Sequence, residues 1–502
     1  MQKLSSNPLL KGIIELLPKD ESIYLVGGAI RDALLDRPGY DLDFVTGGEA
    51  MEIARMVANE IGAAYFPLDK QRKIARLVFN PKKDAKKLVN TWRRIDFSKF
   101  QGKDLQNDLQ SRDFTINAMA VEVHHLQTLL DPLGGAEDLI SRRLRTCSGR
   151  SFLDDPVRIL RAVRFSVDLE LKILPDSKLL LKQAVRHLPE VSAERLRDEL
   201  FRILAQKHPS TSLHLLDRLG ALEHILPEVS LLKGVQQGAP HVLDAWGHTL
   251  AVVSRMEDLF EVLAAEFDSE KASNLVMGMA ALQLGRFRMQ LKEHLEVCLN
   301  PERPHRAILY LAGLYHDAGK PKARATDEAG KISFIDHEQI GSRMVEKRGQ
   351  ALRLSNLEID RLKTIVSHHM RPARLSHSAA KPGRKQIYRF FRDTGAAGID
   401  ICLISLADLL ATYGAALPQD RWVKQLEVVR ELFQVWWEDQ EAGIFPSPLI
   451  NGDELMKELN IAAGPEVGYL LEAIREAQVA GEIHTREEAI NQGKIFLRDY
   501  QK

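Results

Sequence analysis

Asp41 and Asp43 stand two residues apart in Asp41-Leu42-Asp43-Phe44-Val45. On a strand, positions i and i+2 share a face, so both carboxylates point the same way. Like charges that close repel unless a cation lies between them, and Mg²⁺ takes carboxylates together with substrate phosphates. Upstream, Val26-Gly27-Gly28-Ala29-Ile30-Arg31-Asp32 places two glycines between a strand and a helix. That turn lets backbone N–H groups approach an anion, and Arg31 adds a full positive charge. Each piece alone is common: a Gly-Gly turn is usually structural, and an isolated pair of carboxylates is often a polar edge strand. Together they suit the handling of a triphosphate.

Downstream, Asp96 in Arg94-Ile95-Asp96-Phe97 can complete a three-carboxylate metal site. In Ser111-Arg112-Asp113-Phe114-Thr115-Ile116-Asn117-Ala118, the side chains of Arg112, Asp113 and Asn117 can grip triphosphate and ribose. A plainer alternative for Asp113 and Asn117 is an N-cap with a first-turn hydrogen bond. In Asp154-Asp155-Pro156-Val157-Arg158-Ile159-Leu160-Arg161-Ala162-Val163-Arg164-Phe165, Pro156 fits a helix start. Asp155, Arg158, Arg161 and Arg164 then step by three along a polar ridge. A carboxylate beside a guanidinium fork can read the hydrogen-bonding edge of a base.

A second set is rich in histidine. His248 falls on an amphipathic stretch, and His316-Asp317 precede Gly319-Lys320-Pro321. His337, the adjacent His368 and His369, and Asp408 follow. A lone histidine on an apolar face is usually a core residue, but imidazoles joined to carboxylates form a transition-metal ligand set.

These residues need a scaffold. Ser22–Val26, Asp41–Val45, Ala75–Phe79 and the segment around Asp96 read as strands, with a helix over Ala29–Leu35. Beyond the turn Asp131–Gly135, strand signals almost vanish and apolar residues recur at three-to-four spacing, as in Leu196, Leu200, Ile203 and Leu204. The predicted class is α+β: a small mixed-sheet head followed by an elongated, mostly helical body. The expected divisions are a head over 1–140, a helical neck over 141–235, a helical domain bearing the histidines over 236–415, and a helical tail over 416–502. Gly- and Pro-rich breaks fall at Gly234–Pro240, Pro301–Pro304, Lys381–Gly383 and Pro446–Pro448.

The chain has 502 residues, which calls for several domains. Three separated cysteines exclude a zinc ribbon or disulfide framework and suit a reducing compartment. The first residues lack a leader's apolar core, and no stretch reaches the apolar length of a membrane span, so a cytoplasmic, soluble protein is expected. Net charge is zero, which weighs mildly against nucleic acid. Yet seven arginines crowd Arg142–Arg164. The sequence sets no oligomeric state.

In order, GGAIRD, DLD, RDFTINAMA, DPLGGAEDL and DDPVRILRAVRF resemble the class II tRNA nucleotidyltransferase and bacterial poly(A) polymerase family, closely over residues 20–205. The resemblance implies that Asp41 and Asp43 hold two Mg²⁺ ions and that Gly28 and Arg31, beside Gly27, contact triphosphate. It implies that Arg112 contacts nucleotide. Asp155 and Arg158 become the protein template for the base, with Arg161 and Arg164 near. The implied partners are a tRNA 3′ end, CTP and ATP. Members that build all of CCA usually carry a segment resembling RRPDSV before RDFT. Here Asp96–Arg112 reads DFSKFQGKDLQNDLQSR, which resembles the CC-adding branch. The histidine set looks like an HD phosphohydrolase domain, implying His248, His316, Asp317 and Asp408 as ligands of a transition metal. The tail, with its run of glutamates, resembles the C-terminal piece of long family members and is expected to touch tRNA. The rival readings are a poly(A) polymerase, an HD phosphohydrolase with a nucleotide-binding head, and an RNA-binding protein with both sites inactive.

Overall fold

Alternation in two strands sets up the first half of the molecule. In β2 (Asp41–Thr46) and β5 (Arg94–Lys99), Leu42, Phe44, Ile95 and Phe97 turn into one core, and Phe44 and Phe97 stack at 4.9 Å. The intervening Asp41, Asp43, Arg94 and Asp96 therefore share the opposite face. β1 (Ile23–Val26), β3 (Ala64–Asp69), β4 (Ile74–Val78), β6 (Ala120–Glu122) and β7 (Leu129–Leu130) complete a seven-stranded sheet ordered β3-β4-β5-β2-β1-β6-β7. Within this sheet, among the described residues, only β2 and β5 pair in parallel, so the sheet is mixed, as the sequence leads one to expect. α1 (Gly28–Leu34) follows β1, and α2 (Ala50–Ile61) packs its apolar stripe of Ile53, Ala54 and Val57 on the core.

The computed structural model describes residues 4, 8–37, 41–78, 94–267, 274–377, 381–439 and 446–500. The predicted strand Ala75–Phe79 is observed as Ile74–Val78, and Phe79 lies outside the described residues. The strands β3, β6 and β7 had no counterpart in the sequence reading. The segment Asp96–Arg112 is folded: β5 runs into α3 (Leu105–Ser111), whose N-cap Asp104 accepts from the Asn107 N–H at 2.9 Å. α4 (Arg158–Asp168) begins just after Pro156.

The chain divides into two compact units, Met1–Arg195 with Leu215–His224, and Leu196–His214 with Ile225–Lys502. Among the described residues, the second is helical apart from a short ribbon pairing Arg324–Thr326 with Ile332–Phe334. Its site-bearing helices are α5 (Ala245–Val262), α6 (Arg288–Glu296), α7 (His305–Tyr315), α8 (His337–Ala351), α9 (Asn356–His368) and α10 (Ala397–Tyr413). Caps fix where two of these begin. Asp244 accepts from the Gly247 N–H at 2.8 Å before α5, and Ser355 with Glu358 forms a capping box on α9.

Contrary to the sequence expectation, one segment among the described residues, Ala397–Ala416, is long and apolar enough to cross a membrane by length and composition. It contains α10, and most of its surface is buried by the helices of its own unit, with Asp400 buried among them. An apolar helix that is covered on nearly every side is the pattern of a core helix.

Candidate active site and metal centre

Strand register assembles the head site. Arg76 on β4 lies opposite Asp96 on β5, Asp96 opposite Asp43 on β2, and Asp43 opposite Val26 on β1. Asp41 falls two residues along the same face, opposite Arg94. β1 then enters Gly27 at φ +77°, a left-handed conformation open to glycine at little cost. A Cβ at Gly27 would stand 3.2 Å from Arg112 Nη1 and 3.3 Å from Asp43 Oδ2. The turn therefore abuts the carboxylates and Arg112 directly.

Burial raises the Asp43 carboxyl to about 6, and the neighbouring Asp96 charge adds to the rise while Arg112 opposes it. A carboxylate that costs this much to ionise, next to two others, is one that a divalent cation relieves; the donor set fits Mg²⁺. Asp96 differs in its surroundings. Both its oxygens accept from the Arg76 guanidinium, at 2.8 Å each. Its carboxylate is thus fastened to Arg76, a residue that the sequence reading missed.

The RDFT segment is a pinning network. Arg31 donates to Asn117 Oδ1 at 2.7 Å, Asn117 donates to Asp113 Oδ1 at 3.1 Å, and Arg161 holds Asp113 Oδ2 at 2.7 Å. Asp113 Oδ1 also accepts from the Phe114 N–H, but Asp113 is not an N-cap, because the N-cap of the short helix Thr115–Asn117 is Phe114 itself. Burial pushes the Asp113 carboxyl up, but Arg161 and Asn117 outweigh it and bring it down to about 2. Arg112 is steadied by buried Asp108 at 3.0 Å, a partner one helical turn back. Phe165 offers a ring to three guanidiniums, those of Arg164, Arg31 and Arg161, at 4.4, 5.0 and 5.4 Å.

The expected Asp155–Arg158 fork is more widely spaced than a hydrogen bond, at 3.8 Å. Arg158 instead donates to the carbonyls of Ser111 and Arg112 and to Ser151 Oγ, at 2.9, 3.1 and 2.9 Å. It ties α4 to the end of α3. Asp155 Oδ2 accepts from Arg195 at 2.6 Å, while Asp155 Oδ1 is buried with no hydrogen-bond partner.

The second unit gathers its histidines around Asp317. His316 Nε2 lies 3.1 Å from Asp317 Oδ2; His248 Nε2 lies 3.6 Å from that oxygen and 2.9 Å from Asp408 Oδ1. Although close, His248 Nε2, His316 Nε2 and Asp317 Oδ2 make no aligned hydrogen bond and are buried. Buried polar atoms left without hydrogen bonds are costly, and a metal ion among them would satisfy all of them at once. The four residues expected as ligands thus come together and fit a transition metal. Lys320 Nζ stands at 2.6 Å from Asp317 Oδ2. Burial works to raise the Asp317 carboxyl, and His316 and Lys320 hold it well below the usual range. His337 and His369 also reach this centre, whereas His368 turns to the Thr364 carbonyl and Ser367.

Four family profiles match the chain. They are described as a Poly A polymerase head domain over residues 23–145, a "Probable RNA and SrmB-binding site of polymerase A" over 170–232, an HD domain over 246–413, and domain 2 of tRNA nucleotidyltransferase over 446–493. The chain is 31% identical over 481 residues to a CC-adding tRNA nucleotidyltransferase of Thermus thermophilus, covering 94% of this chain and 92% of that one. It is 30% identical over 472 residues to an A-adding tRNA nucleotidyltransferase of Deinococcus radiodurans, covering 93% of each. A CC-adding tRNA nucleotidyltransferase of Geobacter sulfurreducens is 31% identical over 468 residues, covering 93% of this chain and 90% of that one. Among solved structures, the Thermotoga maritima CCA-adding enzyme complexed with tRNA aligns at a TM-score of 0.58 and 21% identity, covering 99% of this chain and 98% of that one. A CCA-adding enzyme with ATP aligns at 0.61 and 21%, covering 99% and 96%. These two likenesses show the fold.

Proposed function

The chain belongs to the class II tRNA nucleotidyltransferase family, and on that premise we propose that it adds cytidylate, as CC, to the 3′ end of tRNA, using CTP and releasing pyrophosphate. The observation that carries a transfer reaction is Asp43: a carboxylate that burial makes costly to ionise, in register with Asp96, two residues from Asp41, beside a glycine turn that abuts Arg112. Asp41 and Asp43 are the residues that would hold Mg²⁺, which neutralises the triphosphate and activates the RNA hydroxyl when bound. Gly27 and Gly28 leave room for the phosphates, and Arg31 and Arg112 supply positive charge beside them. Asp113 and Asn117 act by holding Arg161 and Arg31. Asp155 offers its unpaired oxygen to the base edge, and Arg158 ties α4, which begins three residues later, to the end of α3. Catalysis on this scaffold is positioning and charge neutralisation.

Two observations support CC over full CCA. Within Asp96–Arg112, Asp96–Lys99 lie in β5 and Leu105–Ser111 in α3, and the segment holds nothing resembling RRPDSV. Full-length relatives from Thermus and Geobacter are named CC-adding, while the Deinococcus relative is named A-adding. In the second unit, His248, His316, Asp317 and Asp408 are the residues that would hold a transition metal.

Incorporation of labelled CTP and ATP, separately and together, into tRNA lacking CCA, tRNA ending in CC, and an unrelated RNA tests this. The expected result is two C residues on the first and no A on the second. Complete CCA overturns the CC assignment alone. Long A tails on the unrelated RNA favour a poly(A) polymerase, and no incorporation at all favours a phosphohydrolase with a nucleotide-binding head.

A further inference from the structure

An in-line displacement sets the attacking and leaving oxygens on opposite sides of the phosphorus. In the head, the glycine turn after β1, with Arg31, takes the triphosphate, and Asp41 and Asp43 stand on the neighbouring β2. Pyrophosphate therefore leaves on the β1 side. The RNA hydroxyl has to arrive from the other side, over β5, β4 and β3. This rests on the reading of the head as a nucleotidyltransferase site.

Strand register fixes what lies on that side. The row that begins at Val26 and Asp43 continues through Asp96 and Arg76 to Phe66 on the edge strand β3. Residues paired directly across a sheet share a face, so Phe66 stands on the face of the carboxylates, three strand spacings or about 14 Å from Asp43. Its neighbour Tyr65 turns the other way, packs against the core and has the Arg55 guanidinium over its ring at 4.6 Å. Phe66, by contrast, is 50% exposed, and Leu68 is 48% exposed. We infer that Phe66 is a stacking platform for the unpaired bases at the 3′ end of the RNA that receives the nucleotide.

A single exposed aromatic ring is ordinary, but three features make this one suit a base. Pro67 has no N–H to give, and the register shifts between Pro67 and Asp69, so β3 is a poor edge for the addition of another strand. What the strand offers is its side chains. Next, Arg76 stands between Phe66 and Asp96 in the row. It spends Nε and Nη2 on Asp96 and has a third nitrogen, Nη1, a donor suited to a sugar or phosphate oxygen. Finally, the turn after β3 carries Lys70 and Arg72, both exposed, as cations for the RNA backbone. Aromatic rings on a positively charged track hold single strands without reading their sequence. Stacking accepts any base, so the same ring serves before and after an addition, when the last base differs.

Addition of CTP to a tRNA ending in a single C, with KM for tRNA and for CTP measured separately on the full-length chain, tests the inference. Phe66→Ala is expected to raise KM for tRNA about tenfold. KM for CTP, whose phosphates lie on the β1 side, should stay within about twofold, and thermal unfolding should be unchanged. Phe66→Trp should keep the parent's KM for tRNA, whereas Phe66→Leu, apolar but without a ring face, should not. The decisive arm removes bases. Affinity is measured without CTP for the same tRNA made abasic at one or the other of its last two nucleotides. Loss of the stacked base should cost the parent about tenfold and Phe66→Ala less than about threefold. An unchanged KM for tRNA in Phe66→Ala, or equal losses on base removal in both proteins, overturns the platform and leaves the transfer reaction standing. A parent that adds neither C nor A to tRNA overturns the transfer reading and this inference with it.

Discussion

Replacing Asp43 by Asn separates what the head's carboxylates do from what they cost the fold. With Asp43 raised from 3.8 to about 6, the folded head keeps this proton to about pH 6, whereas the unfolded chain releases it near 3.8. Stability therefore falls as pH rises from about 4 to about 6 and is level above that. At about 1.4 kcal/mol per pH unit, the cost at pH 7.5 is about 3 kcal/mol, a ceiling because Asp43 is not wholly buried. Asn carries no charge and escapes this cost. In EDTA at pH 7.5, Asp43→Asn should be more stable by up to about 3 kcal/mol, and the gap should shrink below about 1 kcal/mol at pH 4. Saturating Mg²⁺ should stabilise only the parent, and CTP incorporation by the variant should be lost. Urea unfolding, with amide exchange of β2 and β5 to read the head separately, measures both effects. An Asn variant that is no more stable in EDTA at pH 7.5, or a gap that persists in acid, refutes the reasoning.

Three other outcomes follow from single contacts. Gly27→Ala combines a φ of +77° with close approaches to Arg112 and Asp43; it should cost about 1–2 kcal/mol in urea unfolding and more than tenfold in CTP incorporation. Arg158→Met removes the donors held by Ser111, Arg112 and Ser151, so about 2–3 kcal/mol of stability should go, and discrimination of CTP from ATP in competition assays should weaken. In the second unit, Glu358→Gln leaves Arg303 without its buried bidentate partner; a loss of about 3–5 kcal/mol is expected in urea unfolding, with CTP incorporation at 25 °C retained.

Local pattern made part of this site legible and long-range pairing hid the rest. Alternation in Asp41-Leu42-Asp43-Phe44 is a two-residue signal, so the shared face of the carboxylates could be read directly. The Gly27-Gly28 turn was visible because glycine marks backbone that other residues avoid. Arg76 was not visible, because it reaches Asp96 only through the antiparallel register of β4 on β5, twenty residues apart. Arg158 stood at the right spacing for a base-reading fork, but spacing along a helix does not reveal that the Ser111 and Arg112 carbonyls lie across from it. His337 and His369 drew notice as residue types. Their Nδ1 atoms bond carbonyls three residues upstream, at helix ends whose positions the sequence set only loosely.

Whether Asp96 serves the reaction as a free metal ligand or through Arg76 is decided by coupling. Both its oxygens are bound to Arg76 at 2.8 Å, and the pair stands directly across from Asp43 in the strand register. If the two act as one unit that sets the field at Asp43, losing either partner removes the same thing. Asp96→Asn and Arg76→Met should each reduce kcat for CTP addition, and the double variant should be no slower than the worse single one, the non-additivity of residues that share one interaction. A ligand role predicts otherwise: Arg76→Met would release the carboxylate and tighten Mg²⁺, while Asp96→Asn alone would raise the Mg²⁺ needed for half-maximal rate. The clamp also predicts that lysine at position 76, a point charge in place of a fork, rescues only part of the loss. Additive losses in the double variant, together with a lower Mg²⁺ requirement in Arg76→Met, would return Asp96 to the metal.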